Sequence, residues 1–259
     1  MHLLMIGDIV GRPGRRAVKQ NLPEILSTMK VDMVIANGEN AAGGNGITRE
    51  IARELFSYGV DVITMGNHVW NQKEIYTYID REARIIRPAN YPPGTPGSGC
   101  GIFTAQNGVR LGVINLSGRV FMQDLDCPFR KADELVDRLK EEVGVVFMDF
   151  HAEASSEKVA MGWHLDGRAS AVCGTHTHVQ TADEKVLPGG TAYISDVGMT
   201  GPSDSVIGVK KDIVIEKFIT QMPRRFEVAE GLYQFNAVIV EIDEVSSRAL
   251  SIRRIQNFE

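Results

Sequence analysis

The sequence predicts an α/β fold: two packed mixed β-sheets flanked by helices, in a single domain over residues 1–259. Three observations carry this. Short apolar runs with glycine-rich exits alternate with segments of helical apolar spacing through residue 83. The second half is then rich in short apolar runs, enough for a second sheet. No linker is long or polar enough to divide the chain, although the stretch around "GMTGPSDSVIG" could form a small cap over about 200–230.

The elements follow in order. "HLLMIG" (2–7) reads as a strand and "GRRAVKQNLPEILSTMK" (14–30) as a helix that Pro23 kinks or divides. "DMVIANG" (32–38) is a second strand. "TREIARELFSYG" (48–59) is a helix opening on Thr48 and closing at Gly59, with Ile51, Leu55 and Phe56 on one face. "DVITMGN" (61–67) is a third strand and "NQKEIYTYIDREA" (71–83) a further helix, capped by Asn67 or Asn71. Such strand–loop–helix repeats favour right-handed crossovers in a parallel sheet. The Pro/Gly-rich stretch 88–101 is loop, and 101–118 a hairpin turning at Asn107-Gly108. A helix over 130–142, strands at 143–150, 169–173 and 191–196, and two antiparallel strands within 235–255 complete the set.

Composition narrows the function classes. Three cysteines, Cys100, Cys127 and Cys173, form no C-x-x-C pair, which argues against a disulfide framework or a zinc knuckle. With no signal-peptide pattern and no apolar run near the ~20 residues of a membrane span, the expected location is the cytoplasm. A net charge of −5 gives no global basic footprint for nucleic acid, and the cluster at 223–231 reads as a solvated loop or helix end. Neither G-x-G-x-x-G after the first strand nor G-x-x-x-x-G-K-[ST] occurs.

The chemistry collects at strand ends. The first strand leads to Asp8, the second to Glu39 and Asn40, the third to Asn67 and His68, the strand at 143–150 to His151, and that at 169–173 to His176 and His178. The carboxyl ends of parallel strands face one crevice, so these side chains converge. Four of the six histidines fall there; His164 does not and reads as a packing or cap residue at a helix C-terminus. Carboxylates, asparagine oxygens and imidazoles in this number exceed one four-coordinate ion and suit two ions of borderline hardness. Two ions about 3.5–4 Å apart can hold a bridging hydroxide and clamp a phosphate.

In their order, "GD" (7–8), "NGEN" (37–40), "GNH" (66–68), His151 and "GTHTH" (174–178) resemble the motifs of the calcineurin-like metallophosphoesterase superfamily. Two departures, Val10 where a ligand histidine is usual and Glu39 where aspartate is usual, together with "GDIVGRPGR", "FHAEASSEK" and "SDVGMTGP", are similar to the YmdB-type bacterial branch. The resemblance implies a four-layer αββα sandwich and a phosphodiesterase of 2′,3′-cyclic nucleotides. It implies two divalent or trivalent metal ions, iron or manganese first and zinc, cobalt or magnesium as alternatives. Asp8, His178 and Asn40 would hold one ion, Asn67, His151 and His176 the other, with Glu39 bridging. The nucleophile would be a bridging hydroxide and His68 the general acid. The implied partners are a small phosphate ester or cyclic nucleotide, with short RNA ends and a homo-oligomer as extensions, and no membrane.

The glycine-rich loop 41–48 could present amides to a phosphate or simply pass close over the site, and Arg12, Arg15 and Arg16 near Asp8 read as solvated, with a phosphate contact by one of them as the alternative. Two rival functions stand beside the phosphodiesterase: a phosphomonoesterase or protein phosphatase, and a non-catalytic metal- and nucleotide-binding regulator.

Overall fold

A computed structural model describes residues 1–259. Strands β1 (His2–Ile6) and β2 (Asp8–Ile9) lead into helix α1 (Gly11–Thr28). Then come β3 (Met33–Asn37), α2 (Arg49–Ser57), β4 (Val62–Thr64), α3 (Ile75–Tyr78) and β5 (Ile85–Ile86). The hairpin β6 (Cys100–Thr104) and β7 (Arg110–Ser117) opens the second half, followed by α4 (Pro128–Lys140), β8 (Val145–His151), α5 (Ser155–His164), β9 (Ala171–Thr175), β10 (Lys185–Val186) and β11 (Ala192–Ile194). The chain returns through β12 (Met199–Pro202) and α6 (Lys211–Thr220) and ends in β13 (Tyr233–Ile242) and β14 (Ala249–Phe258).

These strands make two mixed sheets. One has eight strands, ordered β2-β12-β13-β1-β3-β4-β5 with β14 also on β13; the other has six, ordered β10-β11-β9-β8-β7-β6. The period-2 alternation of each strand decides how the sheets stack. In β1, Leu3 and Met5 point to the space between the sheets, while Leu4 and Ile6 point to the helices. In β8, Val145 and Phe147 face the first sheet, whereas Val146, Met148 and Phe150 meet α4 and α5. Both faces of each sheet are thus apolar, and the molecule stacks as helix, sheet, sheet, helix. The expected four-layer sandwich is what forms.

Most expected elements appear with shifted ends. Thr48 caps α2, its hydroxyl accepting from Ile51 N at 3.3 Å, and Gly59 follows the helix at φ +106°. Two expectations need correction. Helix α1 starts at Gly11 and runs unbroken through Pro23, which lies on the solvent side, where the carbonyl left without a partner is open to solvent. The helix expected over 71–83 shrinks to α3 and a 3₁₀ turn at Ile79–Arg81. Its first residues are spent on turns, Asn71 N bonding His68 O and Ile75 N bonding Gln72 O, so tertiary demand at the site overrides helical spacing. Helices α5 and α6 are elements that the apolar periodicity does not single out.

Candidate metal centre

Strands β1, β3 and β4 run parallel in one sheet, as do β8 and β9 in the other, so five strand ends open on one side of the sandwich. The first sheet supplies Asp8, Glu39, Asn40 and Asn67, and the second supplies His151, His176 and His178. Asp8 does not end β1 itself. It begins β2, pairing with Met199 of β12.

The side chains converge closely. Glu39, His151 and His176 each offer one donor atom, all within 4.8 Å of one another. His151 Nε2 lies 3.0 Å from His176 Nδ1, 3.0 Å from Asn67 Oδ1 and 3.1 Å from Glu39 Oε1. On the other side His178 Nε2 is 3.8 Å from Asp8 Oδ1. Two buried oxygens of the cluster have no hydrogen-bond partner, Asp8 Oδ1 and Asn40 Oδ1. A buried polar group left so costs ~1–3 kcal/mol, and a cation would satisfy both. The residues present therefore fit a metal centre.

Each imidazole is oriented by its far nitrogen, as metal-ligating histidines are. His151 Nδ1 bonds Thr175 Oγ1 (2.9 Å), which donates to Asp149 Oδ1 (2.7 Å). His176 Nε2 faces Glu153 Oε2 at 3.2 Å, and His178 Nδ1 donates to Ile207 O at 2.8 Å. That leaves His151 Nε2, His176 Nδ1 and His178 Nε2 as the lone-pair donors. His176 and His178 both sit at positive φ, +104° and +67°, strained for side-chain-bearing residues. Asp196 holds the strained turn. Its carboxylate accepts from Thr177 N (3.0 Å), Thr177 Oγ1 (2.8 Å) and Gly198 N (2.8 Å), and buried Lys158 balances its charge at 2.5 Å.

The buried charges influence one another strongly. Burial pushes the Asp8 carboxyl up to about 6, against the pull of His178 and His151. Burial also acts on Glu39, but His151 and the His68 N–H outweigh it and bring the carboxyl down to about 2. His151 is buried too, yet Glu39, Asp8 and Asp149 hold its proton up to about 9. His176, buried beside His151, falls to about 3. In the metal-free chain, then, a proton on His151 supplies the positive charge that the carboxylates demand.

His68 stands beside this cluster rather than in it. Its backbone N–H donates to Glu39 Oε2 (2.9 Å), and Asn71 Nδ2 donates to its Nδ1 (3.0 Å), leaving the ring proton on Nε2. Gly66 passes so close that a Cβ there would lie 2.3 Å from Glu39 Oε2 and 2.4 Å from His151 Nε2. Val10 is buried against the 201–208 segment. Arg15 bonds Glu54 and Ala41 O, while Arg16 bonds Glu259 and Gly231 O. His164, the last residue of α5, bonds Asp133 at 2.9 Å, which agrees with its reading as a helix-end residue.

The sequence pattern of the YmdB-like proteins matches residues 4–255. The chain belongs to the YmdB-like family. A Bacillus subtilis (strain 168) relative, a 2′,3′-cyclic-nucleotide 2′-phosphodiesterase, is 52% identical over 98% of this chain and 96% of its own. A crystal structure described as a hypothetical protein from Thermus thermophilus superposes with TM-score 0.93 at 44% identity, covering 100% of both chains. Another, described as a novel phosphatase from Mycoplasma pneumoniae, gives 0.94 at 34% identity over 100% of this chain and 94% of that one. No helix is long and apolar enough to cross a membrane.

Sequence reasoning missed the supports of the site: Asp149, Glu153, Lys158, Thr175 and Asp196. Glu153 and Lys158 lie in "FHAEASSEK" and Asp196 in "SDVGMTGP". The signal that could have found Asp149 is a carboxylate inside the apolar run "VVFMDF", which folding would bury.

Proposed function

We propose that this chain is a dinuclear metal-dependent phosphodiesterase that hydrolyses 2′,3′-cyclic nucleotides. The observation that carries the reading is the convergence of two orphaned oxygens, three oriented imidazoles and Glu39 beside His68. Asp8, Asn40 and His178 would hold one ion, Asn67, His151 and His176 the other, and Glu39 would bridge them. Imidazole, carboxylate and amide oxygen together suit metals of intermediate hardness, with iron or manganese our preference. Bound there, the ions would supply an activated water as nucleophile and neutralise charge developing on the phosphoryl oxygens.

The chain's own groups do the rest. In this reading the phosphate sits next to His68, which acts as an imidazolium with a proton on Nε2; in that form the Asn71 amide beside Nδ1 turns its oxygen to accept from Nδ1–H. By analogy with the Bacillus subtilis relative, cleavage is at the 2′ bond, so His68 delivers its Nε2 proton to the departing O2′. The 200–230 segment walls the approach, and residues 1–259 act as one catalytic unit.

The test uses purified, metal-loaded protein. A 2′,3′-cyclic nucleotide should be converted to the 3′-nucleotide, and bis-para-nitrophenyl phosphate should turn over faster than para-nitrophenyl phosphate. His68→Ala should keep its metal while turnover falls by ~10²-fold or more. Full rate in that variant removes His68 from the role of acid. The Mycoplasma pneumoniae neighbour, described as a phosphatase, favours a second reading as a phosphomonoesterase, which the para-nitrophenyl comparison separates.

A further inference from the structure

The metal centre opens into a cavity of about 340 Å³ whose two sides differ in chemistry. One side belongs to the centre: Asn40, His68 and His178. The other is apolar, formed by Val206, Ile207, Val209, Phe218, Phe226 and Val228. Hydrolysis of a phosphate ester has no use for an apolar wall, because the phosphate and the ribose are both polar. The wall has to meet another part of the substrate.

Three further features narrow what that part is. The volume is at the small end for ligand pockets, which run from ~300 to 1,000 Å³, so it holds a mononucleotide-sized molecule rather than a protein segment. Phe218 and Phe226 are 72% and 47% exposed, so each keeps ring surface open to a ligand, although Lys217 Nζ covers one face of Phe226 at 4.5 Å from its centroid. Asn45 stands at the same cavity with a side-chain amide that makes no hydrogen bond within the chain, a free donor and acceptor. The floor is kept low by Gly44, at φ +91°, where a Cβ would come within 2.8 Å of Val228. A flat aromatic ring with a polar edge matches all of these, with the edge toward Asn45 and the ring against the apolar wall.

We propose that this cavity is the nucleobase subsite and gives the enzyme its preference for nucleotides over other phosphodiesters. This rests on the phosphodiesterase reading above. The geometry makes Phe226 and Phe218 specificity-determining residues that touch the base and not the reacting phosphate.

The experiment compares two substrates on the metal-loaded full chain. One is adenosine 2′,3′-cyclic phosphate. The other is methyl riboside 2′,3′-cyclic phosphate, which has the same reacting ring and no base. Wild type should prefer the nucleotide in kcat/KM, chiefly through KM. In Phe226→Ala and Phe218→Ala, both at exposed side chains, that preference should shrink by roughly 5–100-fold, the range that one base–aromatic stack supports, with metal content retained. Equal treatment of the two substrates by wild type overturns the subsite while leaving the phosphodiesterase reading intact. So does a parallel loss on both substrates in the variants. Hydrolysis of neither by metal-loaded wild type overturns the phosphodiesterase reading itself, and the subsite with it.

Discussion

A single methyl group placed on Gly66 tests the metal centre without altering any donor. In Gly66→Ala the new Cβ would sit 2.3 Å from Glu39 Oε2 and 2.4 Å from both Cδ2 and Nε2 of His151. Bringing the closest contact out to 3.0 Å, the limit for real Cβ atoms, requires a retreat of about 0.7 Å. Metal–ligand distances tolerate only about ±0.2 Å, so the bridge and the buried imidazole cannot both stay in place. The strain itself is modest, ~1–3 kcal/mol for overpacking by one methyl, which leaves the domain folded. Metal analysis, thermal melting of the stripped protein and phosphodiesterase turnover are the three readouts. We expect a melting temperature lowered by a few degrees, metal content well below wild type, and turnover down by at least 10²-fold. Full metal occupancy with wild-type turnover in Gly66→Ala would show that Glu39 and His151 do not hold the metal where the structure brings them together.

Other expectations concern the same centre. Glu39→Ala should empty or scramble both metal positions, and two fully occupied sites by metal analysis would remove Glu39 as the bridge. Metal uptake should release protons. A ligating imidazole must be neutral, whereas the metal-free fold keeps His151 protonated up to about pH 9. Apparent affinity should then climb ~tenfold per pH unit from pH 7 toward 9 and flatten above, with Asp8 steepening the slope below about pH 6. Calorimetry in buffers of different ionisation enthalpy counts that proton, and uptake at pH 7.5 without release contradicts it. For the metal-free fold the sign is opposite. The His151 proton stabilises it fully below the ordinary histidine range, and this contribution disappears as pH rises through about 9. Asp196→Ala should cost ~3–5 kcal/mol by stranding the buried Lys158 charge. Adding Lys158→Met should restore much of that stability but not the metal content, because Thr177 stays unclamped; recovery of both would make Asp196 a purely structural residue.

What was legible in the sequence follows from how local each signal is. The strand ends could be read because an apolar run followed by glycine and a polar residue is written in consecutive residues, as in "MIGD" and "ITMGNH". The ligand types could be read for the same reason. The order of strands could not. That β12 returns to pair with β2, setting Met199 beside Asp8, depends on contacts some 190 residues apart. Helix 71–83 failed because its first turn serves His68 and not the apolar face. Thr175 and Asp196 were silent because their role is defined by what they touch: alone, each is an ordinary polar residue. Gly66 was visible only as part of a motif, and its steric reason needed coordinates.

One consequence of the architecture reaches beyond the centre. The donors are divided between the two sheets, with Asp8, Glu39, Asn40 and Asn67 on one and His151, His176 and His178 on the other. Any ion held by both groups is a rivet through the sandwich. Its occupancy therefore reports how the sheets are docked, to a fraction of an ångström. A cavity cut into the apolar seam between them, at Phe147 or Met33 far from any donor, should register first as weakened metal retention and only later as unfolding. A metal held this way would be a strain gauge, and its loss an early warning that the two halves have begun to slide.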